Sequence, residues 1–422
     1  MTIEWANVAL GKVAEIQTGK LDSNQAIENG DYPFFTCAPE PLRINDYAFD
    51  CDAILLAGNN ANGVFHLNRY AGKFNAYQRT YVITPKHAGQ LNIKFLYYAL
   101  HTLVRRLGEY SQGTATKFLT MRILSPLPVP LPSIGEQNAI ACILGALDDK
   151  IELNRRMNRT LEAMARAIFQ SWFVDFDPVR AKLALNGAEG ATGQAPAGLK
   201  PELAALFPDR LVAVEGREVP EGWGIGTVGD IALLNPESWT KDTRPDVINY
   251  LDLSNTKWGR IDAVTVYSQQ DAPSRAQRVL RPTDTIVGVV RPGNGSYAFI
   301  SEDGLTGSTG FAVLRPQRPA FAEFVYLAVT NKDNIDTLAH LADGAAYPAV
   351  RPEIVSATPI VKPAADVVQA FSRLTGSMLK KMDRNERESR TLAALRDTLL
   401  PKLISGALRV VDAERIVGRC VS

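Results

Sequence analysis

The chain has 422 residues, 46% of them hydrophobic and 22% charged, with a formal net charge of +1. This is an ordinary globular composition, with material for roughly two to four domains. It excludes a disordered chain and a uniformly basic coat for nucleic acid, so any polyanion must be met by local positive charge or with the help of partners.

Cys37, Cys51, Cys142 and Cys420 form no CxxC pair, and His66, His87, His101 and His340 stand apart. No metal site and no disulfide framework are expected. Free thiols, no signal-like apolar run between Met1 and Lys12, and no apolar stretch near the ~20 residues of a membrane span predict a cytoplasmic protein without a membrane anchor.

The first elements are short. Asp52 to Ala57 reads as a buried strand, followed by a turn at Asn59-Asn60-Ala61-Asn62-Gly63. Arg79 to Pro85 reads as a second strand. Ile93 to Leu107 has helical spacing, with Phe95, Leu96, Leu100, Leu103 and Val104 on one face. Ser125 to Pro132 carries proline at every second position, which predicts an extended strap or edge strand, because proline lacks a donor and fixes φ.

A long helix is predicted next. Ser133 and Glu136 have capping-box spacing. Apolar residues recur at alternating steps of four and three through Ile140, Leu144, Leu147, Ile151, Leu161, Ala165, Ile168 and Trp172, with Asn154 and Asn158 in the middle of the seam. Residues 174–222 follow. Their centre, Asn186 to Pro196, is small and reads as a linker or surface loop.

Residues 113–173 align without a gap on residues 344–404: Gly113 with Gly344, Pro128 with Pro359, Gly145 with Gly376, Asn154 with Asn385 and Leu161 with Leu392. The period is too long for a solenoid, whose repeats run about 20–50 residues. In the second copy Phe371, Met378, Met382, Leu392, Leu399 and Leu403 take the seam positions, with Asn385 in the place of Asn154. Two helices with matching seams most simply pair with each other, and two-fold pseudo-symmetry makes them antiparallel. Upstream of the ungapped repeat the likeness continues with drifting spacing: Asp52-Ala53-Ile54 matches Asp284-Thr285-Ile286, Val82 and Pro85 match Val313 and Pro316, and Phe95 and Tyr97 match Phe324 and Tyr326. Alike helices and unlike loops suit one scaffold with two specificities.

A catalytic inventory is not found. The nearest approach to an Asn-Pro-Pro-aromatic motif is Asn235-Pro236-Glu237, and neither a Pro-Cys dipeptide nor a GxxxxGK[ST] loop occurs. Gly222 to Gly226 and Gly307 to Gly310 read as turns. Asp175 and Asp177 read as the end of the helix before Pro178.

Binding chemistry remains. In the first half the candidates for nucleic-acid contact are Lys20, Asn59, Asn60, Asn62, Arg69, Lys73, Gln78, Arg79 and Lys117; in the second they are Lys241, Lys257, Arg260, Arg275, Arg278, Arg291, Asn294 and Arg351. Arginine reads guanine with two parallel donors, asparagine and glutamine read adenine, and lysine and arginine neutralise phosphate.

Four segments carry a family resemblance. Leu127 to Gln137 resembles the start of the central region of type I restriction–modification specificity subunits, and Ala167 to Arg180 resembles the end of that region. Leu206-Phe207-Pro208 with Val219 to Trp223 resembles the start of their second recognition domain, and Leu399 to Val410 their C-terminal end. The second copy departs from the pattern: it has Lys362-Pro363-Ala364-Ala365-Asp366 and lacks the Glu-Gln pair of the first.

The resemblance implies an α/β (α+β) fold, with two pseudo-symmetric recognition domains joined by two long helices that form an antiparallel coiled coil. The implied division is a recognition domain at 1–132, a helix at 133–175, a linker at 176–218, a second recognition domain at 219–363, a helix at 364–406 and a tail at 407–422. It further implies a chain with no catalytic residue and no cofactor of its own. Each domain would read half of a bipartite site in double-stranded DNA. Two modification (methyltransferase) subunits would bring S-adenosylmethionine, and two restriction subunits (endonuclease and translocase) would bring ATP and Mg. The rivals are a self-contained DNA nuclease and a protein-binding scaffold.

Overall fold

The computed structural model describes residues 5–60, 65–110, 117–186, 199–344 and 347–413. It divides into two units: one holds Met1–Leu153 with Arg387–Ser422, the other Asn154–Glu386. Each unit contains one sheet-bearing segment and half of each long helix.

In the first unit a six-stranded sheet runs in the order Ala14–Thr18, Thr80–Pro85, Phe49–Ala57, Leu67–Ala76, Tyr32–Phe35, Leu42–Ile44. All neighbours are antiparallel except Tyr32–Phe35 beside Leu67–Ala76. The central strand is buried from Ala53 to Ala57, and Ile54 and Leu56 point to the face covered by helix Ile93–Tyr110 through Phe95, Leu96 and Leu100. The proline strap is extended as expected: Pro128–Pro130 pairs antiparallel with Asn7–Ala9, and Val129 is fully buried between its two prolines.

The second unit repeats this plan in four strands, Ala232–Leu234, Phe311–Pro316, Thr285–Gly288 and Tyr297–Phe299, in the same order. The strap also recurs, with Pro359–Lys362 pairing antiparallel with Gly224–Thr227. A second four-stranded sheet has no counterpart in the first unit: Thr265–Ser268, Val247–Leu251, Leu305–Ser308, Ala276–Leu280.

Strand register corrects the sequence alignment by one residue. Leu55 lies opposite Val82 and Ile286 opposite Val313. With Val82 matched to Val313, Leu55 and not Ile54 takes the place of Ile286. Both triplets begin with Asp, and that likeness masked the slip.

Two glycine-rich stretches read as turns are only partly so: Gly222 and Thr309–Gly310 lie in turns, but Gly224–Thr227 and Leu305–Ser308 are strands. Packing explains their composition: a Cβ on Gly226 would lie 2.2 Å from Asp230 Oδ2, and one on Gly307 would press on the Leu280 side chain at 3.3 Å. The expected turn after the first central strand is also partly extended, since Asn59–Asn60 pairs with Lys117–Phe118. The remainder of that turn, with Asn62, lies outside the described residues.

The two long helices are Ile134–Phe173 and Ala365–Ile404, each of 40 residues. Ser133 Oγ accepts from the Glu136 backbone N–H at 3.3 Å and donates to the Glu136 carboxylate at 3.0 Å, which ties down one orphan donor of the first turn. The first helix ends where Phe176 takes a left-handed φ of 57° two residues before Pro178. The second ends at Gly406, φ 74°, whose N–H bonds the Leu403 carbonyl while Leu408 N–H bonds Lys402.

Within the first unit the early half of the first helix packs on the late half of the second. Ile140, Leu144, Leu147 and Ile151 join Leu392, Leu399 and Leu403 in one core. Asp148 accepts from Arg396 at 2.7 Å and from Tyr98 Oη at 2.7 Å. Within the second unit the late half of the first helix packs on the early half of the second. Ala165, Phe169, Trp172 and Phe173 share a core with Phe371 and Leu379, and Ile168 and Met378 pack at its border. Early with late and late with early means that the helices are antiparallel. Each fully buried Leu or Phe of this seam is worth about 1.5–3 kcal/mol relative to exposure.

The flanks of the sequence between the copies are folded. Helix Asp177–Asn186 and hairpin Leu211–Val214 with Arg217–Pro220 belong to the second unit, and Phe176, Val179, Phe207 and Val219 are buried in its core. Most of the small-residue centre, 187–198, lies outside the described residues.

Candidate nucleic-acid interface

In the first unit the central strand and its continuation bring several of the candidates to one edge. Gly58 N–H bonds the Arg79 carbonyl, Leu119 N–H bonds the Gly58 carbonyl, and Asn59 pairs with Phe118. Asn59 Oδ1 accepts from the Cys37 thiol at 2.6 Å. The exposed Arg79 guanidinium lies over the Phe118 ring, 5.9 Å from its centroid. Exposed Gln78 follows on the same turn, its backbone bonded to Leu21 next to exposed Lys20. Lys117 pairs through its backbone with Asn60.

Two first-half candidates lie elsewhere. Arg69 sits mid-strand opposite Ile54, and its charge is committed to Asp52. Lys73 lies opposite Asp50, and its Nζ is 4.5 Å from the Tyr47 centroid. At ~3.3 Å per strand residue, Asp50 is roughly 25 Å or more from Asn59 along the chain, so Lys73 cannot share the Arg79 edge.

The second unit has the same junction with different side chains. Val289 N–H bonds the Gly310 carbonyl, Val350 N–H bonds the Val289 carbonyl, and Val290 pairs with Ala349. Arg291 follows in a left-handed conformation, φ 48°, and its guanidinium lies over the Tyr347 ring at 5.0 Å from the centroid. Tyr347 is 73% exposed. The turn Pro292–Asn294, with Asn294 exposed, leads to Gly295 at φ 66°.

Hairpin Thr256–Lys257 with Arg260–Ile261 seats its tip on this turn. Trp258 N–H bonds the Gly295 carbonyl and Gly259 N–H bonds the Tyr297 carbonyl. The Trp258 ring lies so close over Gly295 that a Cβ there would be 2.5 Å from it. Lys257, Arg260, Arg291 and Asn294 thus come together, although Arg260 is paired with Asp262. Arg275 and Arg278 stand apart on the additional sheet, where Arg275 donates to Tyr250 Oη at 3.0 Å and Arg278 to Ser238 Oγ at 3.2 Å. Burial lowers the Arg278 pKa, which marks it as a packed arginine. Exposed Lys241 lies in the loop beside that sheet, and exposed Arg351 caps the short helix Pro352–Ser356.

Sequence reasoning missed the aromatic members of these edges, Phe118, Tyr347 and Trp258. The cation–Trp–Gly–cation run Lys257 to Arg260 was the available signal. It also missed Arg166, which lies on the first long helix and donates to Glu162 Oε1, Tyr297 Oη and the Thr330 carbonyl, with Tyr297 and Tyr326 against its face. Burial pushes the Tyr326 and Tyr297 hydroxyls up, so both stay neutral beside the guanidinium, and Tyr297 Oη accepts its hydrogen bond. Among the described residues no cluster of His, Cys, Asp or Glu could hold a metal ion, and no helix is long and apolar enough to cross a membrane.

Residues 2–163 match the family model described as type I restriction modification DNA specificity domain. The chain is 29% identical over 348 residues to the type I restriction enzyme HindI specificity subunit of Haemophilus influenzae, covering 72% of this chain and 74% of that one. The first part of the chain thus matches a type I specificity domain, and most of its length is similar to type I restriction enzyme specificity subunits. The chain is also 41% identical over 152 residues to the type I restriction enzyme EcoDI specificity subunit of Escherichia coli, 36% of this chain; the match spans only about a third (33%) of the Escherichia coli protein. The crystal structure of a type I restriction–modification system S subunit from M. genitalium shares the fold, with a TM-score of 0.59 at 17% identity over 95% of this chain and 96% of that one. The α/β (α+β) architecture is therefore shared with that S subunit.

Proposed function

We propose that this chain is the non-catalytic DNA-reading subunit of a type I restriction–modification complex, acting in the cytoplasm. Each unit reads one half of a bipartite site in double-stranded DNA, and the paired helices set the spacer between the halves. Two modification subunits dock on the helices and methylate adenine with S-adenosylmethionine; two restriction subunits translocate and cut with ATP and Mg. Those cofactors belong to the partner chains.

The observation that carries this reading is the repetition of one sheet order in both units with different side chains at the same junction. Asn59 stands where the second unit has Val290, and Arg79 where it has Gly310. A shared frame with divergent edges suits two different half-sites.

Methylation-sensitive sequencing of cells with this gene present and deleted tests the proposal. A bipartite adenine-methylated motif that disappears with the gene is expected. An unchanged methylation pattern overturns it. Cleavage of DNA by the purified chain with a divalent metal alone would favour the nuclease instead.

A further inference from the structure

Both units place an arginine over an exposed aromatic ring at the same strand junction, and the two pairs come from different backbone positions. Arg79 over Phe118 is contributed by the start of strand Thr80–Pro85 and by the segment before the strap. Arg291 over Tyr347 is contributed by the continuation of the central strand and by the corresponding segment. The backbone positions equivalent to Arg79 and Arg291 hold Gly310 and Asn60. The arrangement is therefore built twice and is not a residue pair copied with the repeat.

A ring within cation–π distance of a guanidinium attracts it without consuming its in-plane N–H groups. It also fixes a long side chain that would otherwise lose rotamer freedom on binding. Those edge donors match the O6 and N7 acceptors of guanine in the major groove, while a phosphate contact requires no such orientation. Further groups at each junction suit a base-reading edge: Asn59 held by the Cys37 thiol in the first unit, and Asn294 with Trp258, 56% exposed, in the second.

We propose that Arg79 and Arg291 each read one guanine, one in each half-site, and that Phe118 and Tyr347 are positioning residues that hold the forks. This rests on the function proposed above and adds a chemical content to it: each half-site contains a G·C pair whose recognition depends on one arginine held over an aromatic ring.

The test is the methylated motif in cells deleted for the gene and complemented with the wild type, Arg79→Lys or Arg291→Lys. Lysine keeps the charge and loses the fork. Each variant is expected to relax one G·C position by roughly ten-fold or more, in one half-site only, with the other half unchanged. Tyr347→Leu should relax the same position as Arg291→Lys, and Tyr347→Phe should rescue it; a purely structural role for the ring would not be confined to one base pair. Both lysine variants keeping the wild-type motif, or a wild-type half-site without any G·C pair, overturns the inference while leaving the bipartite reading intact. The absence of any gene-dependent motif overturns both. Should a lysine variant modify nothing, thermal melting of the purified full chain decides: an unchanged melt supports an essential contact, and a lowered melt overturns the proposal in favour of a structural role.

Discussion

Asn385 Nδ2 donates to Asn158 Oδ1 at 2.8 Å, and both side chains are buried, at 1% and 8% exposure. Asn158 in turn donates to the Met382 carbonyl and to Glu386 Oε1, and Asn154 donates to the Asn385 carbonyl at 3.4 Å. The polar middle of the seam is thus a small network, and its side-chain pair lies one turn beyond Asn154. Asn385→Leu should destabilise the chain by about 1–3 kcal/mol by orphaning the Asn158 carbonyl. Asn158→Leu with Asn385→Leu should recover most of that loss, because the pair is replaced by apolar contact. Urea denaturation of the two single variants and the double variant checks this; strictly additive losses would contradict it.

Arg166→Met should lower stability by about 2–4 kcal/mol, since it leaves Glu162, Tyr297 Oη and the Thr330 carbonyl without their shared donor. The side chain is 27% exposed, which keeps the cost below that of a fully buried pair. Four of the 5 tryptophans, Trp172, Trp223, Trp239 and Trp258, lie in the second unit, so intrinsic fluorescence during denaturation reads this loss directly.

Burial pushes the Glu323 carboxyl above the usual carboxylate range, against a hydrogen bond donated by Ser372. The folded state therefore holds this proton more tightly than the unfolded chain. Its contribution is fully present at pH below the ordinary glutamate value and is lost as pH rises through the folded value. Glu323→Gln should accordingly be more stable than the wild type at neutral pH, with the advantage shrinking in acid. Melting temperatures measured across that range check it, and a constant difference would refute it.

Gly295→Ala should cost about 1–2 kcal/mol from the left-handed backbone alone, and more from the indole it would strike. Trp258 must then leave its seat. The expected result is changed tryptophan emission with weakened recognition in the second half-site and unaltered recognition in the first, read from the methylated motif.

Inserting seven residues into each long helix, at paired positions in one unit, adds about 10 Å at 1.5 Å per residue. The modified motif should keep both half-sites and lengthen its spacer by roughly three base pairs at ~3.4 Å per pair. Altered half-sites with the old spacer would refute the role given to the helices.

Much of the frame was legible because it is written locally. The seam from Ile140 to Trp172, the cap at Ser133 and the alternating prolines each dictate their own conformation. The additional sheet from Val247 to Ser308 was not legible: its strands are four or five residues long and its partners lie far apart in sequence, Asn249 beside Leu305 in one ladder. Glycine misled at Gly224–Thr227 because absent side chains there serve close packing instead of a turn. The candidate edges show the same limit. Arg79 and Arg291 were chosen by chemistry, but the rings under them depend on pairing between distant segments, and nothing local to Phe118 or Tyr347 announces it.

The first unit's core closes on Leu392, Leu399, Leu403 and Ala413, whereas every residue of the second unit lies between Asn154 and Glu386. A ribosome delivers the chain from its N-terminus. The half made first must therefore wait, with Leu144, Leu147 and Ile151 uncovered, while the half made later can complete itself. Synthesis halted soon after Glu386 would release a finished second half tethered to a sticky, unfinished first one, so this order of birth and closure makes the nascent chain a natural client for holdase chaperones.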